Sequence, residues 1–381
     1  MSVMGNTALA FSEDQAMILD VARAFCRDKS TIGAVRALLE SDTGFDPEVW
    51  RQVVDMGWPG MALPEAVGGS GLGMGAVVPV MEAMGRSLLG GPLLGTVLAG
   101  QLLWRAAADP APSGSTCETV LVALAAGAPA AVAVLDNHDW GASRIRCELG
   151  TDNVLQGVKQ QVMEAASAEW FVVVAQRAGE PVLALVPAAD LGAGGRRDHT
   201  LIDCTRRAQA IDFSGVRVPE DAVLRGPRVA SALRDFRLLG ALLVAAEAGG
   251  SAAACLDTTV DYLKTRKQFG KLIGSYQALK HPCVDILVGI DSARSFVYHA
   301  ATLLTAGELD RDAEIACRMA KAQATETLKY ASDRAIQFHG GMGFTWECDA
   351  QLYVRRAQWS QQAFGDAQHH RKRLAQLLLD D

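Results

Sequence analysis

Two stretches of this chain carry residue types suited to holding a ligand. The first, residues 265–281, reads TRKQFGKLIGSYQALKH; the second, residues 337–357, reads QFHGGMGFTWECDAQLYVRRA. Glycines at 340, 341 and 343 let a backbone pass close to a ligand and turn N–H groups toward phosphates. Arg266, taken alone, is a cation on the surface of a helix end, with Gly270 where a helix commonly stops. A third glycine-rich run, GGSGLGMG at 68–75, fits neither G-x-G-x-x-G nor a phosphate loop ending in Gly-Lys-Ser/Thr. It reads as a turn.

The elements that must position these residues fall into three zones. Up to about residue 116 the apolar spacing is helical. Met17, Ile18, Val21, Ala22 and Phe25 share one face. Ser12 with Gln15 makes a capping box, and Asp46 with Pro47 makes a cap and first helical position. ADPAPSGST, residues 108–116, reads as a linker. From 117 to 228 the period shortens. VAVLD, SRIRCELG, WFVVVAQ, PVLALVP and RRAQAIDFSGVRVPED predict strands of a small barrel or sandwich. No alternation of strand and helix points to a dinucleotide-binding unit. From 229 to 381 long helical runs return, with lengths suited to an antiparallel bundle. Gly249-Gly250 offers a place for close helix packing. The reading is an α+β chain, mostly α, in three domains: 1–116, 117–228 and 229–381.

The bulk numbers narrow the function. The chain has 381 residues, half of them hydrophobic, and a formal net charge of −7. That length exceeds one compact core. A mildly acidic chain without a basic block gives no reason to expect nucleic acid or an anionic membrane as partner. Eight scattered cysteines form no zinc spacing and suit a reducing compartment, so a cytoplasmic location is expected. The N-terminus lacks a basic region followed by an apolar core. The longest apolar runs contain charges or glycines, so no transmembrane helix is predicted.

Taken together and in order, the two ligand-type stretches resemble the acyl-CoA dehydrogenase family. The pattern is Arg266-x-x-Phe269-Gly270, Gln277, then Gln337-x-x-Gly340-Gly341-x-Gly343, Glu347 and Arg355. MGWPGMALPEAVGGSGLG near the N-terminus and LQGVKQQVMEAASAEWFVVVAQ in the middle are similar to the family as well, so the resemblance covers nearly the whole chain. It implies an N-terminal helical domain, a middle β-barrel and a C-terminal four-helix bundle. It implies FAD, with the ADP half reaching a neighbouring subunit. Arg266 would meet the pyrophosphate through a charge-assisted bond. Phe269 and Gln277 would flank the adenine end, and Gln337, Gly340 and Gly341 would line the diphosphate. The implied reaction is α,β-dehydrogenation of an acyl-CoA thioester, with an electron-transfer flavoprotein or similar acceptor.

The same resemblance raises the question of the base. Counting from Arg355 puts the family's usual Glu at Phe364, followed by Gly365 and Asp366. The alternative site of some relatives, counted back from Arg266, falls at Gly240 and Ala241. None of these two seats holds a carboxylate. Asp366, which also suits a helix N-cap, and Glu247, which suits a buried polar pairing, are the candidates left. His369 and His370 are bases in principle. After Lys159 no Ser or Thr follows until Ser167, where the family has hydroxyls against the flavin ring. The resemblance is to heteromeric relatives acting on steroid side-chain CoA thioesters. It implies a subunit of an α2β2 assembly that lacks the usual Glu. Two alternatives stand beside it: a homo-oligomer with a relocated base or base-free chemistry, and a non-catalytic structural partner.

Overall fold

The computed structural model describes residues 12–107, 114–142, 144–192, 194–305 and 309–379. Most of the expected linker, 108–113, lies outside them, as does the start of the chain. In chain order the helices are α1 (Glu13–Lys29), α2 (Ile32–Ala37), α3 (Pro47–Asp55), α4 (Met74–Ser87), α5 (Leu93–Ala106) and α6 (Thr116–Ala125). Strands β1 (Ala130–Ala133), β2 (Glu148–Leu149), β3 (Leu155–Gln156), β4 (Val158–Met163), β5 (Trp170–Arg177), β6 (Glu180–Pro187), β7 (Arg196–His199), β8 (Ala208–Asp212) and β9 (Val223–Leu224) follow. Then come α7 (Pro227–Thr265), strands β10 (Lys267–Gln268) and β11 (Lys271–Leu272), α8 (Gln277–Thr305), α9 (Arg311–His339), α10 (Ala350–Gln362) and α11 (Ala367–Leu379).

The chain divides into two compact units that differ from the three zones of sequence texture. One comprises residues up to 32, 73–89 and 241–381; the other comprises 33–72 and 90–240. In the first, α1 packs on α4, α4 on α8, and α9 collects α8, α10 and α11 around itself. Its buried polar centre is Glu82, which takes Arg23 at 2.8 Å, Arg294 at 3.4 Å and the Tyr298 hydroxyl at 2.7 Å. A buried carboxylate with this many donors is satisfied rather than stranded. Helices α4 and α7 cross at backbone contact. A Cβ on Gly250 would lie 1.9 Å from Glu82 O, and one on Gly85 would lie 2.0 Å from Glu247 O. Gly249, buried beside Gly250, would meet nothing within 4 Å.

In the second unit the expected barrel or sandwich takes the form of two sheets. One runs β3-β2-β5-β6-β9 with β1 also on β5; the other runs β4-β8-β7. An isolated bridge pairs Leu135, two residues past β1, with Gln160 of β4. Strand β5 is buried from Phe171 to Ala175 and pairs in full register with β6. Of the described residues of SRIRCELG, 144–150, only Glu148–Leu149 is strand. Strand β7, sequence RRDH, carries no apolar alternation; pairing with β8 alone makes it a strand.

Local signals at helix starts are met. Ser12 and Gln15 close the capping box, and the Asp46 side chain accepts from Glu48 N with Pro47 next in line. Among the described residues, α7 is long and apolar enough by length and composition to cross a membrane. Its glycines and charges do not exclude it from that test, contrary to the sequence expectation. Its apolar window is wholly buried within the protein.

Candidate functional site

The first ligand-type stretch is a β-hairpin set between two long helices, where the sequence alone reads as a plain helical connection. Helix α7 ends at Thr265, and β10 pairs antiparallel with β11 around Phe269-Gly270. Both turn residues are left-handed, Phe269 at φ +54° and Gly270 at φ +80°. Two positive values in a two-residue loop match the twist of a tight hairpin. Ile273 N donates to Arg266 O at 2.9 Å and closes the base of the hairpin. The geometry leaves Phe269 91% exposed at the tip. Arg266 is exposed, and Gln277 is the exposed first residue of α8.

The second stretch is the end of α9. Gly340 takes φ +60°, ψ −135°, a conformation open to glycine. A Cβ at Gly340 or Gly341 would meet nothing within 4 Å, whereas one at Gly343 would lie 2.3 Å from Ile336 O. Gly343 therefore serves the turn itself, and the backbone at Gly340 and Gly341 faces open space. Gln337 is exposed beside them.

Both stretches lie in one compact unit, and a ring contact links the helix turn before the first to the second. Tyr262, one turn before Arg266, stacks on His339 with ring centroids 4.2 Å apart and planes 25° apart. His339 Nδ1 donates to Ala335 O at 2.7 Å, which fixes the ring. Neither residue was singled out from sequence; an aromatic one turn from Arg266 and a ring two residues past Gln337 are the available signal. In the chain that follows His339, Met342, Phe344 and Trp346 stand exposed, with the Arg355 guanidinium over Trp346 at 5.2 Å. The Gly340 N–H already donates to Gln337 O, so an exposed guanidinium and the open backbone at Gly341 are the groups that suit a diphosphate, and an exposed ring suits an adenine. The residues present fit the ADP half of FAD.

The candidate bases are occupied otherwise. Glu247 is buried and pairs with Arg356 at 2.7 Å, both side chains 1% exposed. Asp366 Oδ1 accepts from His369 N at 2.7 Å, the N-cap bond of α11. His370 is buried; its Nε2 donates to Phe364 O at 3.1 Å. Burial above all pushes its imidazole down to about 3, with nearby Lys321 and Arg318 adding to it. Phe364 is buried and left-handed at φ +58°. His369 stands edge-on to His370 at 5.3 Å.

In the second unit Lys159 is wholly buried and pairs with Asp136 at 2.7 Å. Burial lowers its ammonium and Asp136 opposes the shift. The other carboxylate bonds of Asp136 go to the N–H groups of Arg146 and Cys147. The Ser167 hydroxyl donates to Glu164 O at 3.0 Å. The first hydroxyl after Lys159 is thus engaged within its own turn. Among the described residues no group of His, Cys, Asp and Glu gathers as a metal site.

Two family models match the chain: "Acyl-CoA dehydrogenase, C-terminal domain" over residues 230–379 and "Acyl-CoA dehydrogenase, N-terminal domain" over residues 12–109. Acyl-CoA dehydrogenase IpdE2 of Mycolicibacterium smegmatis is 31% identical over 371 residues, covering 95% of this chain and 98% of that one. Among solved structures, a variant of the Tcur3481–Tcur3483 steroid ACAD superposes with TM-score 0.81 at 26% identity, covering 97% of this chain and 98% of that one. The ChsE4–ChsE5 complex of Mycobacterium tuberculosis shares the fold, with TM-score 0.84 at 24% identity over 98% of this chain and 99% of that one. Helical ends around a middle of sheets, the ordered Arg266-to-Arg355 motif and these matches lead to one statement: the chain belongs to the acyl-CoA dehydrogenase family, oxidoreductases acting on the CH–CH bond of acyl-CoA.

Proposed function

We propose that this chain is a subunit of a heteromeric, FAD-dependent acyl-CoA dehydrogenase and that it lends its Arg266–Gln337 surface to flavin bound with a homologous subunit. The observation that carries the reading is a contrast. The nucleotide-type surface is open and exposed, while position 364 holds a buried phenylalanine and both substitute carboxylates are committed elsewhere. A carboxylate locked to a buried guanidinium, and another spent on a helix cap, argue against the homo-oligomer with a relocated base.

In the reaction a carboxylate takes the α-proton of the thioester and the β-hydrogen departs as hydride. When bound, FAD supplies the hydride acceptor. Residues of this chain would hold the diphosphate through Arg266 and the backbone at Gly340 and Gly341, with Phe269 and Gln277 at the adenine end and Gln337 beside the diphosphate. The base would come from the partner subunit, because Phe364 has no group that accepts a proton. An electron-transfer flavoprotein or similar acceptor would reoxidise the flavin. A bulky acyl group, of the steroid side-chain kind, is supported by the likeness to the steroid ACAD. A cytoplasmic location fits eight scattered cysteines, most of them buried.

The test is to purify the chain alone and with the homologue encoded beside it, and to record flavin absorbance, mass and acyl-CoA-dependent reduction of an acceptor dye. Colourless chain that becomes a yellow, active complex is the expected result. Yellow, active protein from this chain alone overturns the proposal.

A further inference from the structure

The turn between α10 and α11 carries two left-handed residues in succession, Phe364 at φ +58° and Gly365 at φ +96°. Glycine adopts this freely, but an L-residue with a Cβ costs on the order of 1–2 kcal/mol there. Such a conformation persists only where the surroundings over-determine it. They do so here through buried donors aimed at the turn's carbonyls. Lys321 Nζ, from the middle of α9, donates to Ser360 O at 2.9 Å and to Gly365 O at 2.7 Å. His370 Nε2, from the first turn of α11, donates to Phe364 O. Lys321, Ser360, Phe364 and His370 are all buried. A wholly buried ammonium is a costly way to fill space, and an apolar side chain of the same length would do that at lower cost. Its position is accounted for by the two carbonyls it satisfies. The charged and titratable groups acting on the pair are Asp366 in the turn, Arg318 on α9 and His369 on α11.

We propose that Lys321 and His370 are positioning residues that hold the backbone of residue 364 in one orientation, whatever side chain stands there. The inference rests on residue 364 being the family's base seat, as in the proposed function. Lys321 touches no reacting atom; it acts through the turn. The seat is therefore kept built although its carboxylate is absent.

The turn can be read without any activity. 4-Fluorophenylalanine introduced at residue 364 alone, in the full-length chain, gives a single fluorine resonance. Burial brings the Lys321 ammonium down to about 7, with Asp366 opposing. The expected result is a resonance that shifts through that pH, also in the His369→Gln background, which removes the neighbouring half-buried imidazole. Lys321→Met is expected to abolish the shift and split the resonance while far-ultraviolet circular dichroism stays unchanged. An identical single resonance in Lys321→Met overturns the proposal. So does a pH response that survives that substitution. If Lys321→Met does not fold, the parent decides: a resonance unmoved between about pH 5 and 9 overturns the clamp. Separately, Phe364→Glu in the two-subunit complex is expected to gain solvent exchange of the acyl-CoA α-proton at this chain's site. No gain overturns the assignment of residue 364 as the seat and leaves the fluorine result to judge the clamp alone.

Discussion

Glu247 and Arg356 illustrate how a residue that suggests chemistry can be held by packing. Their pair is wholly buried, so removing one charge strands the other. Arg356→Met should cost about 3–5 kcal/mol, and the double change with Glu247→Met should recover most of it; urea midpoints decide. If the single change is harmless, the pair does not carry the fold. Asp366→Ala should cost about 1 kcal/mol through the lost cap, while Asp366→Asn keeps it. Turnover of the two-subunit complex should be unchanged in Asp366→Asn, and a loss there, with the cap kept, would mark Asp366 as a base. Lys321 gives a pH signature. Its folded value of about 7 lies below the unfolded one of about 10.4. Between the two the unfolded chain holds more protons, so stability rises with pH across that window. Lys321→Met should flatten the rise, as urea midpoints near pH 7 and pH 9 would record.

At the scale of elements, the α4–α7 crossing makes neighbouring glycines opposites. Gly250→Ala drives a methyl into Glu82 O and should destabilise by roughly 1–3 kcal/mol or more. Gly249→Ala meets open space and should stabilise by about 0.5–1 kcal/mol through helix propensity. Thermal midpoints of the two variants should move in opposite directions. The Gly-Gly pair was legible in the sequence as a site of close packing, but which glycine faces the neighbour depends on helix phase, fixed only by tertiary contacts. Helix starts were legible because caps are local: Ser12, Asp46 and Asp366 all bond within three residues. The β10–β11 hairpin was not, since two-residue strands leave no period to read, and RRDH became a strand only by lying against β8. At the candidate site the ligand-type residues were legible from order and spacing. The Tyr262–His339 stack and the Lys321 clamp join positions 77 and 44 residues apart and have no local signature.

For the whole molecule, the proposed division of labour predicts that Arg266→Ala strips flavin from the two-subunit complex while this chain still folds and still binds its partner. Absorbance per complex and elution volume separate these outcomes; full flavin retention would place the nucleotide elsewhere. The exposed rim bears on life outside the complex. Met342 at 55% and Phe344 at 81% exposure follow the end of α9, Phe269 at the hairpin tip is 91% exposed, and exposed apolar side chains of that kind invite association. A copy made in excess of its partner would then be a substrate for chaperones and proteases, so cellular abundance of this chain should track synthesis of the other subunit rather than its own messenger level.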